Sequence, residues 1–227
     1  MPSAAPTGAR PGPVFTIGRA VLRPLLWLRF RPRVTGREHV PGTGAVLLAS
    51  NHLSGLDTIL IPTSAPRPVQ FLAKASLFES RLGSWFFRGI GAIPVHRSAS
   101  GAAQAALDAG REVLASGRVF AVFPEGSRSR DGRLARGRGG AAWLALETGA
   151  TVVPVGLIGT DRRRPAGGGR PPRVELRFGP PVRLGDLAGL PAGRARREAT
   201  ERIMRAIQQL SGQERSDDYA PVPESGS

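Results

Sequence analysis

A histidine and an aspartate five residues apart are the first candidates for acid–base chemistry in this sequence. His52 and Asp57 lie in the segment 51–57 (NHLSGLD), which follows the apolar run 44–50. A histidine can accept the proton of a hydroxyl group, and a carboxylate on its other ring nitrogen fixes the tautomer and stabilises the imidazolium. On one continuous helix the two side chains would point about 140° apart. We therefore expect His52 in a turn and Asp57 in the first turn of a helix. The alternative is a structural histidine beside a charge that stabilises a helix N-terminus.

Two polar neighbours can support this pair. The amide of Asn51 can orient the loop, and Ser54 is expected to be the N-cap of the next helix rather than a nucleophile. The chain has no cysteine, which excludes disulfides, thiolate metal sites and a cysteine nucleophile. A single His–Asp pair is also a poor metal site, so we expect no metal.

A second candidate segment, 123–129 (FPEGSRS), also follows an apolar run. Gly126 permits a tight turn whose amides suit an anion, and Arg128 can grip a phosphate through two parallel hydrogen bonds. Glu125 can orient Arg128 or accept a bond from a substrate hydroxyl. A surface turn with a salt bridge is the alternative. Arg97, at the end of 91–97 (GAIPVHR), can supply a second guanidinium.

Apolar runs and helical patterns alternate along the chain and predict the elements that position these residues. Short buried runs predict strands, and segments that open on a cap and end at glycine predict helices. The motif should lead into a helix that ends near Ile61, before Pro62. The pattern indicates an α/β fold: a single domain with a mixed or largely parallel sheet flanked by helices. The predicted strands are 44–50, 69–73, 91–97, 118–123, 151–158 and 173–178, and the main predicted helices are 77–88, 100–116, 141–148 and 193–210.

Composition divides the chain into four regions. Residues 1–13 and 211–227 are expected to be disordered, and 32–210 to form the α/β domain. Residues 14–31 combine apolar positions with arginines and Trp27, which suits the boundary between lipid headgroups and acyl chains. Pro24 is expected to kink or split a helix there. The alternative is a helix packed on the protein's own core. The sequence contains no run of 18 or more apolar residues, so we expect no transmembrane helix.

The net charge of +15 indicates an anionic partner, which can be nucleic acid, anionic lipid or a phosphorylated substrate. Compositional drift toward arginine is the alternative, since Lys74 is the only lysine. The arginines are scattered, tyrosine occurs once and no nucleic-acid-binding module is recognisable. We therefore expect a membrane or phosphate partner and no nucleic acid.

Taken together, these segments resemble the phospholipid and glycerol-phosphate acyltransferase family, in particular its 1-acylglycerol-3-phosphate acyltransferase members. The resemblance covers roughly 34–184. His52 and Asp57 fit the family's His-four-residues-Asp pattern, and 123–129 fits its Phe-Pro-Glu-Gly-(Thr or Ser)-Arg-Ser. The other matching segments are 34–41, 71–74 with Lys74, 91–97 with Arg97, and 153–155 with Pro154.

The resemblance implies roles for these residues. His52 is the general base and Asp57 its partner, while Glu125, Gly126, Ser127 and Arg128, helped by Arg97, hold a glycerol-phosphate head. Segment 153–155, with Pro154, lines the acyl or acceptor site, and Asn51, Ser54 and Lys74 support the site.

The implied reaction acylates the sn-2 hydroxyl of lysophosphatidic acid with acyl-CoA or acyl carrier protein as donor and no cofactor. We expect a peripheral enzyme on the anionic cytoplasmic face of the cell membrane. Three alternatives stay open: a lyso-aminolipid or other lysophospholipid as acceptor, a catalytically silent lipid-binding module, and a basic nucleic-acid-binding protein.

Overall fold

The secondary structure comes from a computed structural model that describes residues 13–89, 91–95, 101–161 and 173–221. The helices in these ranges are α1 (Pro13–Phe30), α2 (Asp57–Ser64), α3 (Arg81–Gly89), α4 (Ala102–Ala115), α5 (Gly140–Thr148) and α6 (Ala192–Ser211). The strands are β1 (Arg33–Thr35), β2 (Val46–Ser50), β3 (Val69–Lys74), β4 (Ala92–Val95), β5 (Val119–Val122), β6 (Leu134–Arg136), β7 (Thr151–Ile158), β8 (Glu175–Phe178) and β9 (Arg215–Tyr219). Short 3-10 turns occupy Arg37–His39, Ala75–Phe78 and Gly185–Leu187.

Seven of the described strands form one mixed sheet in the order β1-β8-β7-β2-β5-β3-β4. The pairs from β7 to β4 are all parallel, whereas β8 runs antiparallel to β7 and carries β1 parallel to itself. The carboxyl ends of β2, β5 and β7 therefore meet at one edge of the sheet, where sites in α/β domains are built. The predicted α/β fold with a largely parallel sheet is confirmed.

Helices cover both faces of this sheet. Along β2, Leu48 packs in one apolar cluster and Leu47 in the other, because successive side chains of a strand point to opposite faces. Helices α1, α2 and α3 contribute to the first cluster, and α4, α5 and α6 to the second. Both faces of β2 are thus buried, which explains its uninterrupted apolar sequence.

Helix α6 packs closely on the sheet and sets the path of the chain after it. Its buried residues recur every four positions, at Ala195, Ala199, Ile203 and Ile207, and form one apolar face. At Gly156 of β7, an added Cβ would lie only 2.6 Å from the carbonyl carbon of Leu210. This approach requires a glycine in β7.

The structure corrects three expectations about local order. The tail from Ser211 was expected to be disordered, but Ser211 ends α6, and β9 pairs in parallel with β6, which lies between the predicted strand 118–123 and the predicted helix 141–148. Helix α2 continues through Pro62 to Ser64 because its side chains Leu60 and Ile61 are buried in the core. Helix α1 runs through Pro24 without a break.

Some predictions lie outside the described residues. The expected disorder at 1–12 and at 222–227 belongs to this group. Within the described residues, no helix is both long enough and apolar enough to cross a bilayer.

Candidate active site

The turn between β2 and α2 brings His52 and Asp57 together. Nδ1 of His52 lies 2.9 Å from Oδ2 of Asp57, whose side chain is fully buried. The same oxygen accepts the backbone amides of Leu53 at 2.7 Å and Ser54 at 2.8 Å. Since a carboxylate only accepts hydrogen bonds, Nδ1 carries the proton and the lone pair lies on Nε2. The predicted arrangement, a histidine in the turn and an aspartate in the first helical turn, is confirmed.

The imidazole of His52 is held on its face as well as at its edge. The ring of Phe123 stacks on it with centroids 3.9 Å apart and planes 12° apart. The His52 side chain is 11% exposed, and Nε2 makes no hydrogen bond to any described residue. One ring nitrogen is therefore fixed and the other is available to a substrate.

Glu125 is a buried support of the His52 backbone. Its Oε1 accepts the amide of His52 at 2.8 Å, and its Oε2 accepts the amide of Ala135 at 2.9 Å. Burial raises the pKa of the Glu125 carboxyl to about 7, although both amide hydrogen bonds oppose this shift. The side chain is 0% exposed and both of its oxygens accept backbone amides, so in this structure Glu125 supports the turn, and its contact with the acceptor stays a prediction.

The turn after Glu125 presents one side chain to solvent. Gly126 has φ +81°, but its amide donates to the carbonyl of Phe123, so it is not available to an anion. The hydroxyl of Ser127 donates to the carbonyl of Pro221 at 2.8 Å. Arg128 is exposed, and its guanidinium forms no hydrogen bond or ion pair with a described residue. Of these groups, only the Arg128 guanidinium is available to a phosphate.

A backbone hydrogen bond joins this turn directly to the His52 turn. The amide of Ser129 donates to the carbonyl of His52 at 2.8 Å. Ser129 directly follows Arg128 in the chain. The two segments that the sequence singled out are therefore neighbours at the ends of β2 and β5.

Asn51 and Ser54 both support the turn, but Ser54 does so in a way that the sequence did not predict. Asn51 is fully buried, and its amide exchanges two hydrogen bonds with the backbone of Leu157, at 2.7 Å and 2.9 Å, which lock β2 to β7. The predicted N-cap role of Ser54 was wrong, because Leu56 precedes the helix. The Ser54 hydroxyl instead accepts the amide of Leu56 at 3.1 Å and shapes the turn.

The remaining predicted residues lie farther along the sheet. Lys74 ends β3 opposite Val95, the last residue of β4, and is exposed. Arg97, two residues after Val95, lies outside the described residues. Pro154 is buried within β7, opposite Ala49 of β2, and its carbonyl accepts the amide of Gly179.

Sequence reasoning missed Gln213 and gave no role to Phe123. Gln213 Oε1 accepts the amide of Asn51 at 2.7 Å, and its Nε2 donates to the carbonyl of Gly132 at 2.7 Å. It lies in a polar stretch without periodicity, where no sequence signal distinguishes it. Phe123 was visible as the last apolar residue before the turn, but its stacking on His52 depends on the fold.

The arrangement suits proton transfer at a hydroxyl group. It has a buried Asp–His pair with one open nitrogen and an exposed guanidinium on the adjoining turn. Across the part of the chain that the structure describes, no group of three or more His, Cys, Asp or Glu side chains is placed to hold a metal ion.

Known proteins resemble this chain in sequence and in fold. The 1-acyl-sn-glycerol-3-phosphate acyltransferase of Borreliella burgdorferi is 32% identical over 148 residues, which cover 65% of this chain and 59% of that protein. The Bacillus subtilis protein of the same description is 27% identical over 191 residues, covering 83% of this chain and 92% of that protein. The crystal structure of the 1-acyl-sn-glycerophosphate acyltransferase from Thermotoga maritima matches with a TM-score of 0.65 at 28% identity, over 87% of this chain and 78% of that chain.

Coverage of some relatives is partial. The chain spans 59% of the Borreliella protein and 39% of a chloroplastic relative from Arabidopsis thaliana. The family model described as Acyltransferase matches residues 31–158, more than half of the chain, including both segments of the site. The chain therefore belongs to the acyltransferase family.

Proposed function

We propose that this protein transfers an acyl group from a thioester to the sn-2 hydroxyl of lysophosphatidic acid and so produces phosphatidic acid. The observation that carries the proposal is the His52 ring. Asp57 holds its Nδ1 at 2.9 Å, Phe123 fixes its plane, and Nε2 has no partner among the described residues. The relatives described as 1-acyl-sn-glycerol-3-phosphate acyltransferases support this choice of acceptor.

The first step is removal of a proton from the acceptor. Nε2 of His52 takes the proton of the sn-2 hydroxyl as its oxygen attacks the thioester carbonyl carbon. The imidazolium that forms is stabilised by the carboxylate of Asp57. Positioned proton transfer of this kind typically contributes about 10²- to 10⁴-fold to the rate.

The second step releases the thiol. The attack gives a tetrahedral oxyanion, which collapses with cleavage of the carbon–sulfur bond. The imidazolium returns its proton to the departing thiolate, so the products are the acylated lipid and a free thiol. Acyl-CoA or acyl carrier protein can be the donor, and the proton cycle needs no cofactor.

The exposed guanidinium of Arg128 is the proposed holder of the acceptor phosphate. Guanidinium binds phosphate through paired, charge-assisted hydrogen bonds. The hydrogen bond from Ser129 to the His52 carbonyl keeps the Arg128 turn beside the base. Arg97 would be a second cation for the same phosphate, as the sequence predicts.

An apolar surface on α1, α3 and the turn before α3 is the proposed membrane contact. Leu28 is 75% exposed and Leu82 is 74% exposed. Soluble monomeric proteins rarely expose large clusters of apolar side chains. The two helices pack against each other, and Arg23 stacks on Trp27 within α1. Basic and aromatic side chains on the same helix as exposed apolar ones suit an anionic bilayer surface. The apolar surface consists of Leu25, Leu28, Leu77, Leu82 and Trp85.

Vesicle binding tests this membrane contact. The double variant Leu28→Asp/Leu82→Asp should lose at least about tenfold in partitioning to vesicles that contain phosphatidylglycerol. Tyr219→Ser, which alters an exposed aromatic outside the apolar surface, should bind like the wild type. Equal partitioning of the double variant and the wild type would refute the assignment. We place the contact at the cytoplasmic face, where both candidate donors occur.

A matrix of donors and acceptors tests the proposed reaction. Purified protein is mixed with acyl-CoA or acylated carrier protein and with lysophosphatidic acid, other lysophospholipids or a lyso-aminolipid. Free thiol and the lipid product are measured together. We expect phosphatidic acid to form fastest. Faster turnover of another acceptor would identify that lipid, rather than lysophosphatidic acid, as the substrate. If no donor–acceptor pair releases thiol, the proposed acyl transfer is wrong.

A further inference from the structure

The chain beyond α6 crosses the turn that carries Arg128. We call residues 212–221 the C-terminal strap. It pairs through β9 with β6, and the amide of Leu134 donates to the carbonyl of Glu214 at 2.8 Å. Nη2 of Arg138 donates to the carbonyl of Ala220 at 3.0 Å, and the Ser127 hydroxyl donates to that of Pro221 at 2.8 Å. The strap is therefore hydrogen-bonded, near both ends of the strap, to the segment 127–138.

The side chain of Gln213 connects the strap to two parts of the candidate active site. Its Oε1 accepts from the side-chain amide of Asn51 at 2.7 Å, and its Nε2 donates to the carbonyl of Gly132 at 2.7 Å. Asn51 directly precedes His52, and Gly132 lies four residues after Arg128. The side chain thus bridges the turn of the base and the loop of the guanidinium.

The two sides of this bridge differ in rigidity. Asn51 is buried and doubly bonded to Leu157, so its position does not depend on Gln213. The Arg128 loop, which we define as residues 126–133, is held by the bond from the amide of Ser129 to the carbonyl of His52 and by the bond from Ser127 to Pro221. Ser127 and Ser129 flank Arg128 and are each hydrogen-bonded to other parts of the chain, and the bond from Gln213 to the carbonyl of Gly132 adds a tie on the C-terminal side of this turn.

We propose that Gln213 is a positioning residue of the acceptor site, which holds the Arg128 loop at a fixed distance from His52. The inference rests on the proposed function, because it assigns Arg128 to the acceptor phosphate. Loss of Gln213 should therefore weaken acceptor binding more than it slows proton transfer.

Steady-state kinetics with Gln213→Ala test the proposal. We expect the KM for lysophosphatidic acid to rise about three- to tenfold, as for the loss of a hydrogen bond, with kcat and the donor KM nearly unchanged. Gln209→Ala, an exposed glutamine on α6, is the matched control and should behave like the wild type. A merely structural role would lower the active fraction, which reduces kcat and leaves both KM values unchanged. That result would overturn the proposal.

Two further variants locate the effect. In Gln213→Glu the carboxylate can still accept from Asn51 but cannot donate to Gly132, so its acceptor KM should match that of Gln213→Ala. A wild-type KM in this variant would refute the bridge. In an Arg128→Ala background, Gln213→Ala should add no further rise, since both act on one contact. Additive effects would contradict action through the Arg128 loop.

Binding without a donor separates this inference from the proposed reaction. Calorimetric titration with lysophosphatidic acid should show three- to tenfold weaker binding to Gln213→Ala than to the wild type. If the wild type releases no thiol but this difference persists, the reaction fails and the positioning role stands. If the wild type turns over and both proteins bind equally, the positioning role fails alone. If the wild type does not bind the lipid, both fail.

Discussion

The backbone amide of His52 donates a 2.8 Å hydrogen bond to Oε1 of Glu125, a carboxyl group that is fully buried. The other oxygen accepts the backbone amide of Ala135, in the strand β6 that follows the Arg128 loop, at 2.9 Å. Glu125 therefore stabilises the backbone that carries His52, the proposed base, and the backbone that follows Arg128, the proposed phosphate-binding residue.

The raised pKa of Glu125 predicts a specific loss of stability with rising pH. The folded-state pKa is about 7, against an ordinary value of 4.5, so between these pH values the folded protein keeps a proton that the unfolded chain loses. This group's contribution is fully present below pH 4.5 and falls as pH rises through 7. The total change is about 3 kcal/mol.

Glu125→Gln removes this ionisation and serves as the comparison. The free energy of unfolding, measured in urea at pH 5 and pH 8, should fall with pH by about 2.5 kcal/mol more in the wild type than in the variant, since part of the total change lies below pH 5. Other titrating groups cancel in this difference because they lie in both proteins. Identical pH slopes for the two proteins would show that the carboxyl is not perturbed by burial.

The charge of Asp57 can be separated from its geometry. In Asp57→Asn, the amide oxygen can take the place of Oδ2 and keep its three hydrogen bonds, while the amide nitrogen occupies the place of Oδ1, which has no partner among the described groups. Losing the negative charge should reduce kcat by about 10²- to 10⁴-fold, because the imidazolium is no longer stabilised. Stopped-flow or steady-state thiol release measures this. A kcat within threefold of the wild type would remove Asp57 from the mechanism.

Stacking by Phe123 should have a smaller effect on the reaction. Phe123→Leu keeps an apolar side chain but loses the ring face that lies 3.9 Å from the imidazole. We expect kcat to fall about two- to tenfold, in line with the energy of an aromatic pair. Phe123→Tyr, which retains the ring, should recover most of the rate. If the leucine and tyrosine variants are equally active, the stacked ring does not orient His52.

Close packing of α6 on β7 makes a prediction about stability. A methyl group at Gly156 would meet backbone atoms of Leu210 at 2.6 Å and Ser211 at 2.8 Å, so Gly156→Ala must displace the end of α6. We expect a loss of about 1–3 kcal/mol in urea unfolding. Gly185→Ala, where an added Cβ meets no atom within 4 Å, is the control. Equal stability of the two variants would show that α6 does not pack closely here.

Much of the site could be predicted because its polar residues directly follow apolar runs that form buried strands. Strands β2 and β5 are apolar runs, and each ends in a polar segment, so the positions of His52 and Glu125 at strand ends follow from the pattern. The parallel sheet then brings the two ends together. The sequence also allowed a contact between His52 and Asp57, provided that His52 lies in a turn before the helix that carries Asp57.

The rest depends on tertiary contacts that no local pattern encodes. Strand β9 reads Arg-Ser-Asp-Asp-Tyr, which predicts no strand by itself, and it forms only because β6 offers a partner. Likewise, the sequence does not reveal whether Glu125 faces the substrate or the protein interior. Pro62 removes one helix hydrogen bond, but the burial of Leu60 and Ile61 keeps α2 intact beyond it.

The central claim is that His52 is the general base, and thiol release by His52→Ala tests it most directly. His39→Ala is the matched control, since His39 bonds the carbonyl of Phe178 through Nδ1 and has no place in the proposed site. With lysophosphatidic acid and acyl-CoA saturating, we expect His52→Ala to lose about 10²- to 10⁴-fold in kcat while remaining folded, and His39→Ala to stay near the wild type. Wild-type turnover by a folded His52→Ala protein would contradict the account.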